Sequence, residues 1–402
     1  MAVGYSKLPP LLPVAGVRLA SAAAGIRYTG RDDLALFELA PGSACAAVFT
    51  RNAFCAAPVQ LARDHLAHAQ PRYLLVNSGN ANAGTGARGL DAARRCCELV
   101  AAQAGCAAEA VLPFSTGVIG EHLPVERFEA AVSGLFDGLN PDGWADAAHA
   151  IMTTDTVAKG VSRTLDLEGG TVTVTGVAKG AGMIRPDMAT MLAFVATDAV
   201  LEQPALQDCL GQAVEGSFNR ITVDGDTSTN DACVLVASGA SGLAPAGADA
   251  ERLAALTADV CRELAQLIIR DAEGATKFVT VDVAGGRDAQ ECLQVAYTVA
   301  HSPLVKTALF AGDPNWGRIL AAVGRAGLEA LDVGRVIIRL GDVCIVRDGG
   351  VAEDYREADG QRVMAADEIT IGIELGRGRA RERIWTSDLS HDYVTINAEY
   401  RT

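Results

Sequence analysis

The amino-acid sequence has no excess of positive charge. Its 402 residues hold 34 lysines and arginines against 49 aspartates and glutamates, which gives a formal net charge of −15. Nucleic acids and anionic membranes bind proteins largely through clustered lysine and arginine side chains, and the chain contains no such cluster. We therefore expect neither a nucleic acid nor a membrane as a partner.

Long apolar runs are missing as well. No stretch approaches the ~20 consecutive apolar residues that a membrane-spanning helix needs. Residues 1–25 combine a lysine with an apolar stretch, as a secretory signal does, but Pro9, Pro10 and Pro13 break that stretch. We interpret this segment as the start of the mature fold. The cysteines are scattered singly apart from the adjacent pair Cys96–Cys97, which is typical of reduced, mostly buried cysteines and predicts a cytoplasmic protein.

Motifs that bind metals are also absent. The 10 cysteines form no C-x-x-C pair, so we predict no zinc ribbon and no thioredoxin motif. His65 and His68 are spaced as two ligands on one helix face, but no further ligands lie near them, and we predict two exposed polar residues. The segment "DGDTSTND" at 224–231 has Thr229 and Leu235 where a calcium-binding EF-hand needs Gly and Glu. The sequence therefore predicts no metal site.

Two common active-site and cofactor-binding motifs are also excluded. The pattern G-x-S-x-G does not occur, which excludes the nucleophile elbow of α/β-hydrolases. The segment "GTGARG" at 84–89 matches the dinucleotide pattern G-x-G-x-x-G, but "NSGNANA" separates it from a predicted strand that ends near Val76. In dinucleotide-binding folds the glycine turn follows the strand directly, so we predict no such site.

The patterns that are present alternate between strand and helix. "RYLLV" at 72–76, "TVTVTGVA" from Thr171 and the alternating isoleucines at 369–375 predict strands, and "DYVTINAEY" at 392–400 predicts another. Apolar residues recur at helical spacing over 90–104 and in the stretch 250–274. The mixture predicts an α/β or α+β architecture that is rich in strands after about residue 275.

The segment "STGVIG" at 115–120 places a hydroxyl group beside a glycine after an apolar run. Thr116 can offer its O–H and Gly117 an unhindered backbone N–H, and such a pair suits a developing oxyanion. A helix-capping turn is the alternative that these residues alone leave open.

The segment "KGAGMIRPDMATMLAF" at 179–194 contains one hydroxyl group, that of Thr190, and no histidine. A hydroxyl is a poor nucleophile until a base takes its proton. If the bond between Ala189 and Thr190 is cut, Thr190 gains an α-amine, whose reference pKa near 8 lets it act as that base. The flanking Gly180 and Gly182 permit the unusual backbone geometry that cleavage needs. An ordinary threonine in a buried strand is the alternative.

The same segment resembles the self-cleavage signature of the ornithine acetyltransferase family, also called glutamate N-acetyltransferase, which is close to K-G-S-G-M-I-x-P-N-M-A-T-M-L. The chain departs from this pattern at Ala181 and Asp187, neither of which belongs to the reacting bond. The resemblance spans almost the whole chain through "NSGNANAGTG", "STGVIG", "IMTTDT", "VDGDTSTND", "DAEGATK", "SPLVKTALF", "GDPNWGRILAAVGRAG" and "DLSHDYVTINAEYRT".

The resemblance implies a role for each matching position. Thr190 would be the nucleophile, first in cleavage after Ala189 and then in acetyl transfer. Thr116 and Gly117 would form the oxyanion hole. Substrate would be bound by Thr153, Lys179, Thr190, Glu273, Asn397 and Thr402. A lysine and a carboxylate suit a substrate that carries a carboxylate at one end and an ammonium at the other.

The resemblance also implies an architecture. It predicts an α/β fold, in which a sandwich of sheets is flanked by helices as in the self-cleaving aminopeptidases and ornithine acetyltransferases, with a smaller strand-rich C-terminal domain from about residue 279 to 402. Cleavage would give an α fragment of residues 1–189 and a β fragment of residues 190–402. The resemblance to the family also implies that two fragments of each kind assemble into a heterotetramer.

The implied reaction moves an acetyl group from N2-acetylornithine to glutamate through an acetyl-threonine intermediate, with no metal or redox cofactor. Acetyl-CoA is a second acetyl donor in some members of the family. The first alternative is a hydrolase or aminopeptidase of the same fold, in which water resolves the acyl-enzyme. The second is an uncleaved, inactive binding protein.

Overall fold

The computed structural model describes residues 2–185 and 191–400. The strands are β1 Val17–Ala22, β2 Leu34–Leu39, β3 Ala44–Phe49, β4 Tyr73–Asn80, β5 Val111–Val118, β6 Lys159–Leu167, β7 Gly170–Lys179, β8 Leu192–Thr197, β9 Ala232–Ala237, β10 Phe278–Gly286, β11 Ile337–Leu340, β12 Val343–Arg347, β13 Gly350–Val351, β14 Glu368–Glu374 and β15 Ala380–Ser387. The helices are α1 Ala57–His68, α2 Gly86–Ala104, α3 Val125–Gly138, α4 Trp144–Ala150, α5 Gln203–Glu215, α6 Ala248–Arg270, α7 Ala289–Ala300, α8 Pro303–Ala311, α9 Trp316–Gly324, α10 Glu357–Met364 and α11 His391–Glu399.

Two sheets pack face to face and form a sandwich. One has the strand order β1-β2-β4-β5 and the other the order β3-β9-β8-β7-β6. Apolar side chains of both sheets meet in a shared core, in which the ring of Phe194 lies 5.0 Å from that of Phe37 and 5.1 Å from that of Phe114. The inner layer of the protein is therefore made of two sheets.

Helices cover the outer faces of the sandwich. α2 and α3 pack on the first sheet through a core that includes Cys97, Val100 and Phe128. α5 and α6 pack on the second sheet, where Ala193 and Val195 point away from the other sheet. Strand β8 is consequently buried on both faces, which explains why its sequence "LAFVAT" is apolar up to the final Thr197.

A third sheet follows the sandwich in the chain, with the strand order β13-β12-β11-β14-β10-β15. Its core is formed with α7 and α9, and it is separate from the two cores of the sandwich. A hydrogen bond of 3.0 Å from Thr222 N–H to the Trp385 carbonyl joins the two parts.

The predicted α/β sandwich is confirmed, as are most of the elements predicted from periodicity. The strands at 72–76, 171–178 and 369–375 correspond to β4, β7 and β14, and the helices at 90–104 and 250–274 to α2 and α6. In β14 the side chains of Ile369, Ile371 and Ile373 are buried, as their alternation predicts.

Two predictions are wrong. The segment 392–400 is helix α11 instead of a strand, because Ser390 caps it by accepting a hydrogen bond from Tyr393 N–H and because Val394 and Thr395 face solvent and impose no strand alternation. His65 is buried instead of exposed, since its ring nitrogen Nδ1 hydrogen-bonds the Val111 carbonyl at 2.8 Å.

In the described ranges, none of the helices combines the length and the apolar character required to cross a bilayer.

Candidate active site

One cavity collects the predicted site residues. It opens where the carboxyl ends of β5 and β7 meet the amino ends of β8 and β9. Lys179 at the end of β7 pairs with Leu192 at the start of β8, which in turn pairs with Ala232 at the start of β9. The cavity is lined by six of the predicted residues, namely Thr116, Gly117, Thr153, Lys179, Glu273 and Asn397.

Three predicted residues are not among those that the structure describes. Ala189, Thr190 and Thr402 lie outside the described residues, and so does the bond at which cleavage is predicted. Met191, the first residue described after that bond, lines the same cavity.

Thr116 and Lys179 contact each other in the cavity. Lys179 Nζ donates a hydrogen bond of 3.0 Å to Thr116 Oγ1. Because the ammonium is the donor, the hydroxyl proton of Thr116 stays available for an acceptor inside the cavity. Burial lowers the pKa of Lys179, an effect that Asp155 opposes.

Gly117 stands where the backbones of β4 and β5 approach each other. A Cβ atom at this position would lie 2.3 Å from the carbonyl carbon of Gly79, and the φ angle of Gly117 is 133°, a value that residues with side chains rarely adopt. A glycine is therefore required by geometry, and it holds its backbone next to Thr116 at the cavity wall.

A buried ionic cluster lies behind the cavity. Lys159 Nζ donates to Asp155 Oδ1 at 2.6 Å and to Asp271 Oδ2 at 2.7 Å, and all three side chains are almost fully buried. Burial alone would lower the pKa of Lys159 and raise that of Asp155. The close opposite charges reverse both shifts, so the lysine pKa is raised and the aspartate pKa is lowered.

The cluster positions three of the cavity residues. Asp155 accepts hydrogen bonds from Thr153 N–H at 3.0 Å and from Gly180 N–H, next to Lys179, at 2.7 Å. Asp271 lies two residues before Glu273 and accepts from Thr156 N–H at 2.9 Å. The backbone at or next to Thr153, Lys179 and Glu273, three of the predicted substrate-binding residues, is thus tied to the same ionic cluster.

Glu273 closes one side of the cavity. Its carboxylate accepts a hydrogen bond of 2.7 Å from Asn397 Nδ2 of α11, and its N–H donates to the Ala181 carbonyl at 3.0 Å. A Cβ atom on Gly182 would lie 2.3 Å from Glu273 Oε2, so a larger residue there would displace the Glu273 carboxylate. The cavity therefore has an ammonium from Lys179 and a carboxylate from Glu273 on its lining.

Sequence reasoning missed several residues of this site. Asp155, Lys159 and Asp271 were not singled out, although Lys159 and Lys179 occupy the same place in the repeated segment "VAKG" at 157–160 and 177–180. The repeat has a structural counterpart, because β6 and β7 pair antiparallel with Lys159 opposite Ala178. Asp231, which ends the segment "DGDTSTND", and Tyr400 also line the cavity, but the sequence analysis assigned neither of them a role.

Comparisons with known proteins agree on a family. The model of the ArgJ family matches residues 18–402. An arginine biosynthesis bifunctional protein ArgJ from Pseudomonas syringae pv. tomato is 58% identical over 100% of both chains, and one from Methylococcus capsulatus is 58% identical over 98% of this chain and 97% of its own. A crystal structure of the arginine biosynthesis bifunctional protein ArgJ from Bacillus halodurans is 39% identical, covers 52% of this chain and 100% of its own, and superposes with a TM-score of 0.50.

Proposed function

The chain belongs to the ArgJ family, and from this premise we propose that it is an acetyltransferase of arginine biosynthesis, which moves the acetyl group of N2-acetylornithine to glutamate. The observation that carries the proposal is the convergence of Thr116, Gly117, Lys179 and Glu273 on one cavity beside Met191. These residues come from three separate parts of the chain, and in this proposal they supply an oxyanion hole and both charges that an amino-acid substrate needs.

Self-cleavage prepares the enzyme. The bond between Ala189 and Thr190 breaks, which leaves fragments of residues 1–189 and 190–402 and gives Thr190 a free α-amine. The matched chain of the Bacillus halodurans protein supports this step, because it is covered completely while spanning 52% of this chain, close to the length of the second fragment.

Acetyl transfer then runs through two half-reactions. The α-amine of Thr190 takes the hydroxyl proton while Oγ attacks the acetyl carbonyl of acetylornithine. Thr116 O–H and Gly117 N–H stabilise the oxyanion, ornithine leaves with the proton, and the acetyl group stays on Oγ as an ester. The amine of glutamate attacks that ester and regenerates the free hydroxyl. Neither half-reaction calls for a metal or a redox cofactor.

The charges of the cavity orient the substrate. Lys179 pairs with a carboxylate of acetylornithine or glutamate, and Glu273 with the distal ammonium of ornithine. Thr153 and Asn397 line the same cavity and offer polar side chains to the backbone atoms of the amino acid. Thr402 completes the binding set in this proposal.

A second acetyl donor follows from the relatives, which are named bifunctional. We propose that acetyl-CoA can replace acetylornithine in the first half-reaction, as a co-substrate. We further propose two copies of each fragment in the assembled enzyme and a cytoplasmic location.

The decisive experiment compares the wild type with Thr190→Ala. Mass spectrometry of the wild type should give two fragments that split after Ala189, and incubation with acetylornithine and glutamate should give ornithine and N-acetylglutamate with ping-pong kinetics. The T190A protein should stay a single chain without activity. A fully active, intact wild-type chain would contradict the proposal.

The same assay separates the alternatives. A hydrolase would release ornithine at a rate that added glutamate does not change, and free acetate would appear in place of N-acetylglutamate. A non-enzymatic binding protein would give one intact band on a denaturing gel and no product.

A further inference from the structure

One oxygen of a buried carboxyl group in the cavity has no hydrogen-bond partner, and the group has no assigned role. Asp231 immediately precedes β9, lines the cavity together with Lys179 and Glu273, and is 2% exposed. Within the described part of the chain its Oδ2 has no hydrogen-bond partner. Buried polar atoms are nearly always hydrogen-bonded, so an unpaired atom of this kind indicates a site for a ligand or a reacting group.

The strand pairing places Asp231 beside the predicted cleavage site. β8 and β9 run parallel, with Leu192 opposite Ala232. Ala232 N–H donates to the Met191 carbonyl at 3.0 Å. One residue upstream in each strand, Asp231 and Met191 are neighbours that line the same cavity. Covalent geometry keeps the backbone nitrogen of residue 190 within about 5 Å of the Met191 Cα atom.

We propose that the Asp231 carboxyl group is the proton donor for the backbone nitrogen of residue 190 during self-cleavage, a role that rests on the proposed function. In this step the Oγ–C bond forms between Thr190 and the Ala189 carbonyl carbon, and the C–N bond between the two residues breaks. Asp231 gives its proton to the departing nitrogen and recovers one from the Thr190 hydroxyl. Water then hydrolyses the ester, which leaves a carboxylate on Ala189 and the free hydroxyl and amine on Thr190.

Burial favours the protonated form of Asp231, which is the form that can donate a proton. Burial raises the pKa of Asp231 well above its usual range, and the opposing effects of Ser228 and Lys179 are smaller. Among the described residues, the titratable groups that share the cavity with it are Lys179 of β7, Glu273 beyond α6 and Tyr400 after α11. A carboxyl group that holds its proton at neutral pH can protonate a leaving nitrogen, whereas an ordinary exposed aspartate cannot.

The test follows cleavage over time in freshly synthesised full-length chains, by denaturing gel and mass spectrometry. Asp231→Asn keeps the shape but has no proton to transfer, and it should slow cleavage by about 100-fold or more. Asp226→Asn is the matched control, because Asp226 belongs to the same segment, is exposed and does not line the cavity. It should cleave at the wild-type rate.

Two further measurements separate proton transfer from a structural role. The wild-type cleavage rate should fall as pH rises through the pKa of Asp231, whereas any residual cleavage of D231N should lack that dependence. The cleavage rate of Asp231→Ser is measured in parallel and should be reduced as well. Wild-type cleavage in either folded variant would overturn the proposal, and so would failure of both variants to fold, which would assign Asp231 to the fold. An intact wild-type chain would instead refute the proposed function itself.

Discussion

At the scale of single residues, the proposed role of Thr116 as an oxyanion donor rests on the direction of one hydrogen bond. Its oxygen accepts from Lys179 Nζ at 3.0 Å, which fixes the side-chain rotamer and leaves the hydroxyl proton free. A donor fixed in this way pays no reorganisation cost when negative charge develops on a substrate oxygen.

The first prediction tests this donor. Thr116→Ala should lower kcat of acetyl transfer by about 100- to 1,000-fold, the usual cost of one lost oxyanion donor. Thr116→Ser keeps a hydroxyl and should stay within a few-fold of the wild type. Steady-state assays with acetylornithine and glutamate measure both variants. Equal activities of the alanine and serine variants would show that Thr116 does not act as a donor.

At the scale of secondary structure, strand β6 contains two basic residues that form ion pairs, one of them buried and the other exposed. Lys159 is completely buried between Asp155 and Asp271, whereas Arg163 pairs with Glu263 at the surface. The buried pair ties the end of α6 to the segment that holds Thr153. The exposed pair joins β6 to α6 and does not reach the cavity.

The second prediction compares these two pairs. Lys159→Met leaves two buried carboxylates without their counter-ion and should lower the free energy of unfolding by about 3–5 kcal/mol. Arg163→Ala removes a solvent-exposed pair and should cost less than about 1 kcal/mol. Urea denaturation of the two variants measures the difference, and similar losses would contradict the assignment of Lys159 as the buried anchor.

The third prediction concerns the contact between β4 and β5. Gly117→Ala would place a Cβ atom 2.3 Å from the Gly79 carbonyl carbon, so the two strands must separate and the oxyanion hole must widen. We expect reduced stability and loss of acetyl transfer. Gly120→Ala is the control, because Gly120 also has a positive φ of 85° but nothing lies within 4 Å of its Cβ position. If both variants behave alike, backbone strain rather than crowding is responsible.

Helix α11 shows why local patterns could not give every element. Its β-branched residues Val394, Thr395 and Ile396 favour a strand by propensity. The capping bond of Ser390 and the contact of Asn397 with Glu273 favour a helix. The spacing of Tyr393, Asn397 and Tyr400 fits one helix face, and this was the signal available in the sequence.

At the scale of the whole molecule, the sequence could predict strands and helices with their own periodicity, but it could not pair them. The strand β7 and the long helix α6 carry clear periodic patterns. The meeting of Thr116, Lys179 and Glu273 depends on sheet order, which periodicity does not encode, and only the resemblance to a family suggested it. No local pattern predicts that Lys159 is buried. Asp155 lies four residues away in the chain, but the second partner, Asp271, is brought to it by the fold.

The scattered cysteines lead to a last prediction, about alkaline pH. Burial raises the thiol pKa of nine of them, and the rise is largest at five, to about 12 at Cys45, Cys96 and Cys261 and well above the ordinary value at Cys97 and Cys233. A group whose pKa is raised in the folded state stabilises the fold fully below its unfolded pKa and loses that contribution as pH rises. Each thiol should therefore cost about 1.4 kcal/mol per pH unit above about pH 9.

Together the five thiols should lower the free energy of unfolding by about 7 kcal/mol per pH unit above about pH 9. Lys306 and Lys179 oppose them, because burial lowers the pKa of both lysines, to about 8 at Lys306, but they are two groups against five. Since domains are stable by only about 5–15 kcal/mol, urea titrations in reductant should be flat from pH 7 to 8 and show unfolding before pH 11. Cys233→Ala should reduce the slope by about a fifth. A wild-type stability that stays constant to pH 10.5 would mean that the thiols titrate as freely in the fold as in the unfolded chain, and burial in the sandwich could not then be the cause of their pKa shifts.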